Sequence, residues 1–170
     1  FFCLLVAAGN DTTRYSIAMS LYLIAKQPQL LEQLQTGNYW NTVADEVIRL
    51  ASPTMHFRRT VTQDTELHGK KMREGDKVLL WFVSGSRDEE VFENPDKVDF
   101  GRTPNRHLAF GQGGPHVCLG MHLAKLEVRI VLEELAKRIS SITAVSEPNW
   151  TRSNFICGVK SLCVEVEVDS

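Results

Sequence analysis

The segment Phe110-Gly111-Gln112-Gly113-Gly114-Pro115-His116-Val117-Cys118-Leu119-Gly120 limits what this chain can fold into more than any other. Glycine tolerates left-handed backbone and proline donates no N–H, so neither a helix nor a central strand passes through Gly111 to Pro115. Just beyond, Leu119, Leu123, Leu126, Ile130 and Leu135 recur at helical spacing. The chain must therefore turn through a glycine loop into a helix, with Cys118 at the entry. Such a loop lets backbone approach a flat ligand closely. A cysteine at a helix start meets unpaired N–H groups and the positive end of the dipole, which stabilise its thiolate. Three readings are open: a ligand-binding thiolate, a tight loop around a structural cysteine, or a phosphate cradle. The last lacks the Gly-Lys-Ser/Thr ending of a phosphate loop.

The remaining pattern predicts a mainly α fold with small β-sheets (α+β). Phe1 to Lys26 is apolar on nearly all sides, which predicts a long helix buried within a larger body, with polar Gly9-Asn10-Asp11-Thr12-Thr13 in its middle. Pro28 opens a second helix, Gln29 to Gln35, that Gly37 ends; Asn41 or Thr42 caps a third, reaching about Ala51 before Pro53. From Met55 to Val83 the pattern predicts short strands joined by turns, and from Ser84 to His107 a long irregular segment. Leu119 to Ile139 is helical, and Phe155-Ile156-Cys157 with Leu162 to Val168 predicts a terminal hairpin around Gly158.

Charge and cysteine content exclude several functions. With 19 Lys plus Arg against 21 Asp plus Glu, the net charge is −2, which leaves no basic footprint for nucleic acid. The four cysteines (Cys3, Cys118, Cys157 and Cys163) include no CxxC pair, which argues against a zinc module or a disulfide scaffold and for a reducing cytoplasm. The opening apolar run, Phe1 to Ala8, is far shorter than the roughly 20 residues of a membrane span. The chain starts at Phe rather than Met, with no capping residue before its first helical pattern, so residues 1–170 are expected to be part of a single domain whose N-terminal half is absent.

Two further motifs carry chemistry. Asp11 and Thr12 put a carboxylic acid beside a hydroxyl in an apolar helix, where polar groups are costly unless hydrogen-bonded or functional. Thr12 can donate back to the carbonyl of Ala8 and loosen the helix there; alternatively Asn10-Asp11 caps an interrupted helix. Glu46 and Arg49 lie at i,i+3 on one helical face, a spacing that by itself most often marks a surface salt bridge.

Taken in order, these three motifs resemble the C-terminal half of cytochrome P-450, the haem-thiolate monooxygenase family, and the resemblance extends over essentially all 170 residues. It implies haem b as cofactor, with Cys118 as the iron ligand whose electron donation favours O–O cleavage. It implies that Gly9 leaves room for dioxygen and that Asp11 with Thr12 delivers protons. By the same likeness Arg59 and His116 hold the haem propionates, Phe110, Gly114 and Gly120 complete the cofactor side of the loop, and Glu46 and Arg49 form a buried structural pair. An apolar small-molecule substrate would rest on Val6, Ala7, Ala8, Met55 and Phe57, and electrons would come from NAD(P)H through ferredoxin reductase and ferredoxin.

The sequence departs from the family pattern twice. Phe110 stands eight residues before Cys118 where most members have seven, so the loop holds one more residue around Gly113-Gly114-Pro115. Lys97 falls where many members have the arginine that joins the Glu46/Arg49 pair, and lysine lacks the bidentate fork. The longer loop, with Ala7 to Arg14 and Pro104 to Gly111, is most similar to the bacterial subgroup that oxidises sterol side chains and methyl-branched lipids. The alternatives are a haem-binding but catalytically incompetent piece, which is what the isolated chain would be, and a peroxide-using haem-thiolate relative.

Overall fold

Helix α1 (Phe2–Lys26) runs unbroken through Gly9 and Asp11, and a computed structural model describes residues 1–168 of the chain. Helices α2 (Gln29–Gln35) and α3 (Val43–Ala51) follow, then strands β1 (His56–Thr60), β2 (Thr65–Leu67), β3 (Lys70–Met72) and β4 (Lys77–Trp81). The short α4 (Phe82–Gly85) leads into a long irregular segment. The cysteine loop enters α5 (Met121–Ala136), after which come β5 (Ile139–Ala144), β6 (Asn149–Trp150), β7 (Val159–Ser161) and β8 (Val164–Val168). The strands form four antiparallel pairs: β1 with β4, β2 with β3, β5 with β8 and β6 with β7. No helix is long and apolar enough to cross a membrane among the described residues.

The core lies where α1, α2, α3 and α5 meet. Ile24, Leu34, Val43, Val47 and Leu132 are fully buried there, joined by Phe100 from the irregular segment and by Ile139 and Ile142 from β5. Only the second half of α1 enters this core. Residues 1–11 are exposed, including Phe1, Phe2, Leu4 and Val6. Two buried hydroxyls of α1 are satisfied within the helix: Ser16 Oγ donates to the Thr12 carbonyl (3.0 Å) and Ser20 Oγ to that of Ile17 (2.6 Å).

Three expectations change. The helix after the cysteine loop stops at Ala136 rather than Ile139, because Ile139 opens β5 and pairs with Val168. The terminal hairpin around Gly158 does not form: β8 pairs with β5, and β7 with β6. Ile156, on the near side of Gly158, instead bridges Thr54. Thr42 stands before α3 without capping it; its hydroxyl donates instead to the carbonyls of Tyr39 and Phe100, pinning the irregular segment to the helix start.

Gly158 is required by packing. A β-carbon there would overlap the ring of Tyr15, a buried residue of α1 whose hydroxyl accepts from Thr151 Oγ1 (3.2 Å). The ring cannot yield without breaking that contact. Gly158→Ala is therefore expected to cost about 1–3 kcal/mol of stability through overpacking. A denaturant-melting midpoint equal to that of the parent protein would show that α1 does not depend on this contact.

Candidate functional site

The site is built outward from Glu46, which α3 places at its buried face. Its carboxylate accepts from Arg49 Nε and Nη2, each at 2.8 Å, in a bidentate fork, and both side chains are fully buried. The Asp99 N–H (3.0 Å) and Asn105 Nδ2 (3.0 Å) donate to it as well. Arg49 Nη1 then donates to the carbonyls of Ser86 (2.9 Å) and Pro95 (2.7 Å). The pair is not a surface salt bridge: it ties α3 to the irregular segment. Burial raises the Glu46 pKa, but the hydrogen bonds from Arg49 and Asp99 and the charges of Arg49 and Arg102 outweigh it, so the carboxyl titrates below its ordinary range.

The third member of the cluster is Arg102, which corrects the expectation for Lys97. Arg102 Nε lies 3.3 and 3.2 Å from the two Glu46 oxygens, and its Nη atoms donate to the carbonyls of Glu93, Asn94 and Lys97. Lys97 is exposed, and its N–H closes a turn onto Asn94. That turn presents the Lys97 carbonyl, not its ammonium, to the cluster. Both guanidinium groups also lie over the buried Phe92 ring, at 5.1 and 5.9 Å from its centroid.

This framework holds the start of the cysteine loop. Ser86 Oγ accepts the Leu108 N–H (3.1 Å), the Gly111 N–H donates to the Leu108 carbonyl (2.8 Å), and the Cys118 N–H donates to the Phe110 carbonyl (3.0 Å). Phe110 thus closes the loop through its backbone despite the extra residue. Gly111, Gly113 and Gly114 all have positive φ, at 72°, 71° and 77°, and β-carbons at Gly113 and Gly114 would meet nothing within 4 Å. Only glycine supplies this curvature without strain, and it leaves the loop face open. Cys118 is exposed and lies two residues ahead of the helix cap, Gly120, where a β-carbon would sit 4.0 Å from Cys118 Sγ.

The other sequence-predicted residues fall on two more surfaces. On β1, Arg59 is exposed; Met55 and Phe57 border the same sheet, and Phe57 packs edge-on against buried Phe82 at 5.6 Å. A β-carbon on Gly111 would touch Phe82 at 4.0 Å, so Phe82 joins this sheet to the cysteine loop. On α1, Val6, Ala7, Ala8 and Gly9 are exposed, and Gly9 has open space where a β-carbon would stand. Thr12 Oγ1 donates to the Ala8 carbonyl at 2.7 Å, whereas Asp11 does not touch Thr12 and instead accepts from Arg14 Nη2 at 2.7 Å. His116 is exposed in the loop, and no hydrogen bond joins it to Arg59 or Cys118 among the described residues.

The model of one protein family, cytochrome P-450, matches residues 2–154. The chain belongs to the cytochrome P-450 family. It is 43% identical over 171 residues to a methyl-branched lipid omega-hydroxylase of Mycobacterium tuberculosis, covering 96% of this chain and 39% of that protein. It is 41% identical over 162 residues to linalool 8-monooxygenase of Pseudomonas putida, covering 95% and 40%. The crystal structure of CYP108D1 from Novosphingobium aromaticivorans superposes with a TM-score of 0.91 at 39% identity, over 98% of this chain and 40% of that one. The chain therefore carries the C-terminal part of the cytochrome P-450 fold and spans about two fifths of the length of the curated relatives it matches.

The residues present fit a haem. A solvent-facing thiol stands at the end of a loop whose glycines leave its face open, apolar Val117 and Leu119 flank it, and the exposed N–H donors of Arg59 and His116 suit the carboxylates of a porphyrin.

Glu46→Ala should lower stability by about 3–5 kcal/mol, because it strands the buried Arg49 and the half-buried Arg102 without their counter-ion. Since the folded-state pKa of Glu46 is depressed, its contribution is complete above the unfolded carboxylate range, near about pH 4, and is lost as pH falls through the lower folded value. Chemical denaturation from pH 7 down to pH 3 checks both statements. A variant with parental stability and an unchanged acid limb would mean that the cluster does not hold the fold.

Proposed function

We propose that this chain is the haem-binding part of a bacterial monooxygenase that inserts one atom of O2 into a C–H bond of an apolar small molecule, of the branched-lipid or sterol class. Electrons would reach it from NAD(P)H through a ferredoxin reductase and a ferredoxin. The observation that carries this reading is the solvent-facing Cys118, presented on an open glycine loop in a chain 43% identical to a lipid hydroxylase.

Haem b, when bound, supplies iron for O2 activation, with thiolate donation favouring O–O cleavage. The chain's own residues do the rest. Cys118 as thiolate would hold the haem iron, and its backbone is fixed because its N–H donates to the Phe110 carbonyl. Arg59 and His116 would hold the haem propionates. Gly9 keeps the facing surface of α1 low enough for dioxygen, and Val6, Ala7, Ala8, Met55 and Phe57 give an apolar lining that excludes water and selects apolar substrates. Thr12 has its proton committed to the Ala8 carbonyl, so its oxygen lone pairs face outward as acceptors that orient a proton donor. Asp11 is the ionisable member of the relay; to move a proton toward Thr12 its carboxylate must first leave Arg14.

Two measurements on the full-length protein test this. The reduced protein should give the long-wavelength carbon monoxide band of thiolate ligation, and Cys118→Ser should lose it while Cys3→Ala, Cys157→Ala and Cys163→Ala keep it. A long-wavelength band in Cys118→Ser would sink the assignment. Thr12→Ala should retain haem and substrate binding but divert reducing equivalents to hydrogen peroxide, lowering product formed per NAD(P)H consumed by roughly tenfold or more, with a full general acid–base contribution of about a hundredfold or greater setting the larger end. An unchanged ratio would remove Thr12 from the relay.

A further inference from the structure

Beside Glu46 on α3, Asp45 makes a second junction that the haem reading does not use. Its Oδ1 accepts from His107 Nε2 at 3.1 Å and from Lys125 Nζ at 2.6 Å, so one oxygen joins α3, the approach to the cysteine loop, and α5 behind it. The His107 ring is almost wholly buried, and its other nitrogen, Nδ1, accepts the Ala109 N–H at 3.2 Å. Those two contacts fix the tautomer: Nδ1 carries the lone pair and Nε2 the proton. Phe110 is held between the two donors, its ring centroid 5.6 Å from that of His107 and 5.7 Å from Lys125 Nζ. Burial alone would raise the Asp45 pKa, but the hydrogen bonds from His107 and Lys125 and the charge of Lys125 reverse it, so the carboxylate stays ionised between them.

The position of Phe110 matters because its carbonyl receives the Cys118 N–H. Any rotation of the Leu108 to Phe110 backbone therefore moves the acceptor that sets the cysteine. The Glu46 cluster does not control this directly; it reaches the loop through Ser86 and Leu108, two residues earlier. We propose that Asp45, His107 and Lys125 are positioning residues for Cys118, which clamp the Phe110 end of the loop between α3 and α5 and so hold the thiolate at the geometry that iron ligation requires. This rests on the haem-thiolate reading above for its consequence, but the clamp itself is a property of the chain.

The test uses the full-length protein, haem-loaded and haem-free, with Asp45→Asn, Lys125→Met and Lys125→Arg. Lys125 is partly exposed, so its variants perturb the clamp with little risk to folding. Hydrogen exchange at the Cys118 amide should accelerate about tenfold in Asp45→Asn and Lys125→Met, the effect of weakening roughly one charge-assisted hydrogen bond, while exchange at the Leu132 amide in α5 stays as in the parent. Lys125→Arg should restore the slow rate. In the haem-loaded protein the reduced carbon monoxide adduct should convert from its long-wavelength to its short-wavelength form faster in the same two variants. Unchanged Cys118 exchange in both, or equal acceleration at Leu132, would overturn the proposal. Loss of the thiolate reading is registered separately, by a long-wavelength band that survives in Cys118→Ser, and leaves the exchange result to decide the clamp.

Discussion

One buried carboxylate, that of Glu46, holds the irregular half of this molecule to its helices. The segment from Ser84 to His107 has little periodic apolar surface of its own, so hydrophobic burial alone would leave it loose. Instead it is tethered by the carbonyls of Ser86, Glu93, Asn94, Pro95 and Lys97, the Asp99 N–H and the Asn105 side chain, all gathered around Glu46, Arg49 and Arg102. Such a cluster is costly to desolvate, and it stabilises only when its polar atoms are paired. Here Glu46 is met by Arg49, Asp99 and Arg102, which is why its carboxyl titrates low despite burial, and Asn105 donates to it as well.

Two neighbouring acids on α3 divide the labour. Glu46 faces the irregular segment and fixes where it lies; Asp45 faces the last part of it and α5, and fixes how the chain enters the cysteine loop. Between them they leave the loop anchored at Leu108, Ala109 and Phe110 and open from Gly111 to Cys118. Rigid support beneath an exposed ligand is what a metal-binding thiolate needs, because a wandering ligand loses its bond to competing water.

The sequence made the local features legible. The long α1, the short α2, α3 between Thr42 and Pro53, and the strands from His56 to Trp81 follow periodicity and turn residues closely. The glycine loop was legible because positive φ has a chemical signature, and Glu46 with Arg49 because i,i+3 is a fixed geometry. What stayed hidden is non-local. Arg102 replaces Lys97 as the third member of the Glu46/Arg49 cluster because a turn at Asn94 reverses which group faces inward, and spacing carries no record of that. Likewise Asp45 and His107 are 62 residues apart, and nothing in either neighbourhood announces the other. The partner of β8 is β5 rather than a strand next to it, for the same reason. Arg59 and His116 are ordinary exposed N–H donors in composition, and only the family resemblance marked them.

The central claim is that Cys118 binds iron through sulfur. Iron-edge X-ray absorption fine structure of the full-length, haem-loaded ferric protein tests it most directly. The account predicts one sulfur scatterer in the first shell together with the porphyrin nitrogens, and its replacement by an oxygen or nitrogen scatterer in Cys118→Ser. A first shell of nitrogen and oxygen alone in the parent protein, or a sulfur scatterer that persists in the variant, would contradict it.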